Sequence, residues 1–106
     1  MNTKIAQFIS KQTCVTVCCV DEKGNPYCFN CFYVFNSQEV LLYFKSSTGT
    51  QHAGMLANNP VVAGTILPDK LSMLQIRGIQ FDGTVLSDDH PLTRQAHGHY
   101  YKKHPT

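Results

Sequence analysis

The stretch CVTVCCVDEKGNPYCFNCFYVF, residues 14–35, decides the fold. Cys14 to Val20 is dense in β-branched and small apolar residues, which suit a pleated, half-buried surface. Asp21 to Pro26 then brings polar residues, a glycine and a proline, the punctuation of a tight connection. Tyr27 to Phe35 resumes as a second apolar run, with Asn30 its one polar interruption. Strand, turn and strand follow from this order. A second strand apolar at nearly every position is expected where both faces are buried, or where one face meets a partner subunit.

Upstream of the hairpin, Ile5, Phe8, Ile9 and Gln12 recur at helical spacing, so a short amphipathic helix is expected over residues 3–12 with Thr3 as its N-cap. Downstream, residues 36–39 make a turn and Val40 to Phe44 a third strand, which runs into KSSTGTQH, residues 45–52. Thr50 to Asn58 reads as a two-turn helix capped by Thr48 or Thr50 and stopped by Asn59-Pro60. Val61 to Leu67 is a fourth strand, closed by Pro68-Asp69-Lys70. Leu71 to Ser87 is expected as one long strand, bent by bulges at Gly78 and Gly83. From Asp88 the chain turns helical again, with Asp88 or Asp89 capping, Pro91 in the first turn, and Leu92, Ala96 and Tyr100 spaced by four. Five antiparallel strands with short connections suit a small barrel, mainly β with flanking helices.

A chain of 106 residues fits one domain, residues 1–106, and its 42% hydrophobic and 15% charged residues are globular rather than disordered. So small a chain leaves apolar surface for a subunit interface, which makes a homodimer the expectation. The net charge of +2 gathers toward Lys102 and Lys103 and forms no basic stripe, so no nucleic-acid partner is expected. No apolar run approaches a bilayer span and the first residues lack a signal-peptide block, so the expectation is a cytoplasmic protein without a membrane partner.

Five cysteines, at 14, 18, 19, 28 and 31, lie inside apolar runs and are expected to be reduced. Cys28 and Cys31 have the spacing of a redox dithiol or zinc knuckle. On a strand, however, residues three apart point to opposite faces, so the pair reads as small core residues. His97 and His99, two apart on a helix, share no face, and no metal site is expected. No Ser/His/Asp set or spaced carboxylate pair points to hydrolysis, and no catalytic side chain is assigned.

Two segments carry candidate chemistry. KSSTGTQH follows a strand, opens a helix and is rich in hydroxyls, so its N–H groups and side chains can converge on an anion; a plain polar turn with a helix cap is the competing reading. RGIQFDG, residues 77–83, holds Arg77, which is either a bidentate phosphate contact or a rim residue whose guanidinium reaches solvent.

These pieces together, YFKSSTGTQHAGMLANNPVVAGTI, IRGIQFDGTV and the opening helix IAQFISKQ, resemble the pyridoxamine 5′-phosphate oxidase-like flavoproteins with the FMN-binding split barrel, in a short bacterial branch. The similarity runs from Ile5 to Pro105. It implies a small antiparallel split β-barrel and FMN as cofactor. The phosphate would fall to Ser46, Ser47, Thr50, Gln51 and His52. The isoalloxazine ring would lie near Asn30, Cys31, Phe44 and Lys45 at a two-fold dimer interface, with Arg77 approaching from the long strand. Family members commonly carry Arg or Lys where this chain has Gln51 and His52. Longer relatives also add a last strand and, in true pyridoxamine phosphate oxidases, a C-terminal Arg-containing motif; both are expected to be missing here, and vitamin B6 synthesis is not implied. The resemblance implies an oxidoreductase passing electrons from a reduced nicotinamide donor to a small-molecule acceptor. The other reading is a non-catalytic small-barrel module binding FMN, haem or another planar ligand.

Overall fold

The computed structural model describes residues 1–45, 51–74, 77–87 and 90–104; the side chains of Gln51, His52, residues 94–98 and Tyr101 lie outside that description. The elements are α1 (Thr3–Lys11), β1 (Cys14–Val20), β2 (Pro26–Asn36), β3 (Leu41–Phe44), α2 (Gln51–Asn58), β4 (Val61–Ile66), β5 (Ile79–Thr84) and α3 (Pro91–Lys103). The strands form one antiparallel sheet in the order β3-β2-β1-β4-β5, curled into the half-barrel of the expected split-barrel class.

The opening hairpin forms as its residues dictate. The Asp21 carboxylate accepts from the backbone N–H groups of Lys23 at 2.9 Å and Asn25 at 2.8 Å, and from Asn25 Nδ2 at 3.0 Å. Gly24 takes φ 84°, a conformation that a Cβ would strain. Cys18 then stands opposite Cys28, Thr16 opposite Asn30 and Val15 opposite Cys31. Alternation sends Val15, Val17, Cys19, Phe29 and Tyr33 inward, where Val62 and Ile66 of β4 join them and Ile9, Met55 and Leu56 of the helices close the core. β2 is therefore one-sided within the chain: Cys28, Asn30 and Phe32 face outward and are exposed.

Four expectations are corrected. The cap of α1 is Asn2 rather than Thr3, its Oδ1 accepting from the N–H groups of Lys4 and Ile5 at 2.8 and 3.3 Å. The long fifth strand is only Ile79–Thr84; Leu71, Met73 and Leu74 before it are 75–97% exposed, so that stretch has no sheet partner to bury its side chains. His90, not an aspartate, caps α3, its Nδ1 accepting from the Leu92 N–H at 3.1 Å; Asp88 and Asp89 lie outside the described residues, as do Thr48 and Thr50 before α2. Finally, Cys14 and Cys28 are exposed rather than core, because both fall on the outward phase of their strands.

The two ends of the described chain meet. The last four carbonyls of a helix lack intrahelical donors, and in α1 three of these four find side chains. Gln12 Nε2 donates to the Phe8 carbonyl at 3.1 Å, the buried Tyr33 hydroxyl donates to that of Ile9, and Lys103 Nζ reaches that of Ser10 at 3.4 Å. Lys103 Nζ also donates to the Gln12 carbonyl at 2.7 Å and sits 4.6 Å from the centre of the Tyr33 ring. His104 Nε2 donates to the Tyr33 carbonyl at 3.0 Å.

Candidate functional site

The candidate phosphate segment lies between an exposed strand end and a helix start. β3 stops at Phe44, Lys45 is exposed, and α2 begins at Gln51. Ser46, Ser47 and Thr50 lie outside the described residues. Gln51 and His52 are the first residues of α2, which carries no acidic residue in its first turn, so no carboxylate of its own offsets the positive end of its dipole. Burial of Met55 and Leu56 anchors the helix against the sheet.

The residues assigned to a planar ring divide between the two faces of the sheet. Cys31 and Phe44 belong to the inner side and pack against the core, the Phe44 ring lying 6.0 Å from that of Phe29. Burial, with the neighbouring Cys14 thiol adding to it, pushes the Cys31 thiol up to about 12, so it stays protonated and unreactive at neutral pH. Asn30 faces outward, where its Oδ1 accepts from Thr16 Oγ1 at 2.5 Å. Asn30 and Cys31 therefore meet a ligand from opposite faces of β2.

Arg77 lies elsewhere. It precedes β5, at the opposite edge of the sheet order from β3 and Lys45. There it lines an open cleft of about 320 Å³ with Phe8, Lys11, Gln12, Lys70 and Ser72. The sequence reading missed Lys11 and Lys70, which sit on a helix and in a turn far from Arg77 along the chain; no local spacing signals their convergence. Among the described residues, no group of three or more His, Cys, Asp or Glu side chains could hold a metal ion. No helix among them is long and apolar enough to cross a membrane.

A one-sided, curled antiparallel sheet with a helix entering after the third strand defines a class of small barrels. The pyridoxamine 5′-phosphate oxidase family model matches residues 1–105, and the chain belongs to that family. Its similar relatives include UPF0306 protein plu4501 of Photorhabdus laumondii, 35% identical over 101 residues, covering 95% of this chain and 70% of the relative. A UPF0306 protein of Serratia proteamaculans is 36% identical over 104 residues, covering 96% and 70%. Two solved structures share the fold. HutZ, the haem storage protein of Vibrio cholerae, aligns with a TM-score of 0.76 at 19% identity over 94% of this chain and 72% of its own. The conserved hypothetical protein Rv2991 of Mycobacterium tuberculosis aligns at 0.79 and 18% identity over 97% and 64%.

Proposed function

We propose that this protein is an FMN-binding flavoprotein of the cytoplasm, an oxidoreductase that passes electrons from a reduced nicotinamide to a small acceptor. The observation that carries the reading is the start of α2. It follows Lys45 at the edge strand, lacks an acidic first turn, and coincides with the segment that the family resemblance would give to a phosphate. Ser46, Ser47, Thr50, Gln51 and His52 would hold the phosphate through hydroxyls, amides and backbone N–H groups, with Lys45 adding charge at the rim. When bound, FMN supplies the hydride and electron chemistry. The chain's own part is to hold and orient it: Asn30 offers a hydrogen-bonding amide on the outer face, while Phe44 braces the inner one. Because Lys45 and Arg77 stand at opposite sheet edges, a two-fold homodimer is the arrangement that would let both serve one flavin. The exposed Leu71, Met73 and Leu74 provide apolar surface for such an interface.

The test is the visible spectrum of the full chain after incubation with FMN and desalting, followed by NAD(P)H oxidation with a quinone or nitro acceptor. Retained flavin and turnover well above that of free FMN are expected; a colourless protein would refute the cofactor, and rates equal to free FMN would refute the enzyme. Thr50→Ala and His52→Ala should weaken FMN more than riboflavin, and equal weakening would remove the phosphate role.

One observation favours a second reading, a non-catalytic module for a planar ligand such as haem. The likeness to HutZ, a haem storage protein, extends over 94% of this chain. A Soret band retained after desalting with haem, in a chain that does not retain FMN, would select it.

A further inference from the structure

Of the five cysteines, the register brings together one pair on the same face. Thr13 stands opposite Tyr33, one step beyond the Cys14–Phe32 pair, and the Tyr33 N–H bonds the Thr13 carbonyl at 3.2 Å. Hydrogen-bonded and non-bonded pairs alternate along an antiparallel ladder. Cys14–Phe32, Thr16–Asn30 and Cys18–Cys28 are therefore the non-bonded pairs, the ones whose side chains approach most closely. The contacts agree: Thr16 and Asn30 touch at 2.5 Å, and the Cys18 and Cys28 sulfurs lie 3.0 Å apart. The other three thiols have no such neighbour. Cys14 faces Phe32, Cys19 faces Tyr27 from the buried side, and Cys31 faces Val15.

We propose that Cys18 and Cys28 form a site of reversible thiol–disulfide exchange with a low-molecular-weight disulfide. Non-bonded pairs have Cα atoms about 4.5 Å apart, at the short end of the roughly 4.4–6.8 Å range that a disulfide bridges. The bond forms without strand movement, and its crowding keeps it reducible. Cys28 is exposed and Cys18 half-buried, so Cys28 is the sulfur an incoming disulfide meets. The hydrogen shared with Cys28 holds the Cys18 thiol above its ordinary range, and the greater exposure of Cys28 makes it the first nucleophile.

The Cys28 thiolate attacks one sulfur of the small disulfide RSSR, breaking its S–S bond and releasing RS⁻. The Cys18 thiolate then attacks Cys28 Sγ in the mixed disulfide, forming the Cys18–Cys28 bond and expelling the second RS⁻. Two protein thiols lose two electrons, RSSR gains them, and the two thiol protons go to the two released thiolates. The site lies at the turn end of the β1–β2 hairpin and needs no bound flavin.

The experiment is incubation of the reduced full chain with oxidised glutathione, read by intact mass and thiol titration. We expect a loss of about two mass units, the two thiol hydrogens, and a fall in free thiols from five to three. Trypsin cuts at Lys11, Lys23 and Lys45, so the bond should link peptides 12–23 and 24–45, with fragmentation placing it at Cys18 and Cys28. Dithiothreitol should restore five thiols. Cys18→Ser and Cys28→Ser should each abolish the link, whereas Cys14→Ser should keep it. Five persistent thiols, a bond mapped to Cys19 or Cys31, or covalent dimers in place of the internal link would each overturn the proposal. The wild-type mapping alone decides if a serine variant fails to fold.

Discussion

Replacing Tyr33 by Phe deletes one oxygen from a fully buried side chain and leaves the packed ring in place. The lost hydroxyl donates to the Ile9 carbonyl, one of the end carbonyls of α1 that the helix itself cannot satisfy. Ile9 is buried, so water does not readily take over. A buried acceptor left unpaired costs about 1–3 kcal/mol, and for a domain of this size each kcal/mol lowers Tm by about 4–8 °C. We expect a loss of about 2 kcal/mol, or about 8–16 °C. Tyr43→Phe is the matched comparison. Its hydroxyl accepts from Asn36 Nδ2 at 3.3 Å, a long bond to a half-buried amide, and its loss should cost under about 1 kcal/mol. The assay is urea denaturation followed by circular dichroism, with thermal melts alongside. If Tyr33→Phe lies within about 0.5 kcal/mol of wild type, or costs no more than Tyr43→Phe, the hydroxyl does not hold the end of α1 through the Ile9 carbonyl.

The remaining expectations concern pH and glycine positions. Hydrogen bonds from the Thr13 hydroxyl and N–H, at 2.6 and 2.9 Å, hold the Asp69 carboxyl below the ordinary carboxylate range; the same holds for Asp21, through Asn25 first. A depressed folded-state value means stability that is present above the unfolded value of about 3.9 and lost as pH falls through the folded one. Asp69→Asn should therefore be less stable at pH 7 and show a shallower loss below about pH 4 in urea midpoints; an unchanged acid limb would count against the Thr13 contact. At Gly64 a Cβ would run into the Phe81 ring and the Thr16 carbonyl oxygen. Gly64→Ala should cost about 1–3 kcal/mol, and Phe81→Leu should rescue it only in part, because the Thr16 obstacle is backbone. Gly54→Ala meets open space in α2 and should stabilise by about 0.5–1 kcal/mol; equal effects at the two glycines would contradict the packing.

The hairpin and the order of elements are legible because they rest on local signals: β-branched and apolar runs, a Gly-Asn-Pro connection and helical spacing. What failed was equally physical. Leu71 to Leu74 has strand-like composition but no neighbouring strand, and composition does not supply a hydrogen-bonding partner. The caps at Asn2 and His90 were missed because several polar residues cluster at each helix start and only geometry chooses among them. At the candidate site, the strand-to-helix junction is readable in the sequence, whereas a family resemblance gives no facing, and adjacency on β2 turns Asn30 and Cys31 to opposite sides of the sheet. The separation of Arg77 from Lys45 depends on strand order, and no single segment encodes it. The same alternation that correctly set Cys28 and Cys31 on opposite faces also places Cys28 beside Cys18, once the register is known.

Lys103 and Gln12 are joined across a sequence separation of 91 residues. During synthesis the first helix therefore emerges long before the Ser10 and Gln12 carbonyls can meet the amine that binds them. Until then, water must serve the Ser10 and Gln12 carbonyls, while Gln12 and Tyr33 can already hold those of Phe8 and Ile9. The sheet has to assemble around an unfinished first element, and an amine from near the other end of the described chain finishes it.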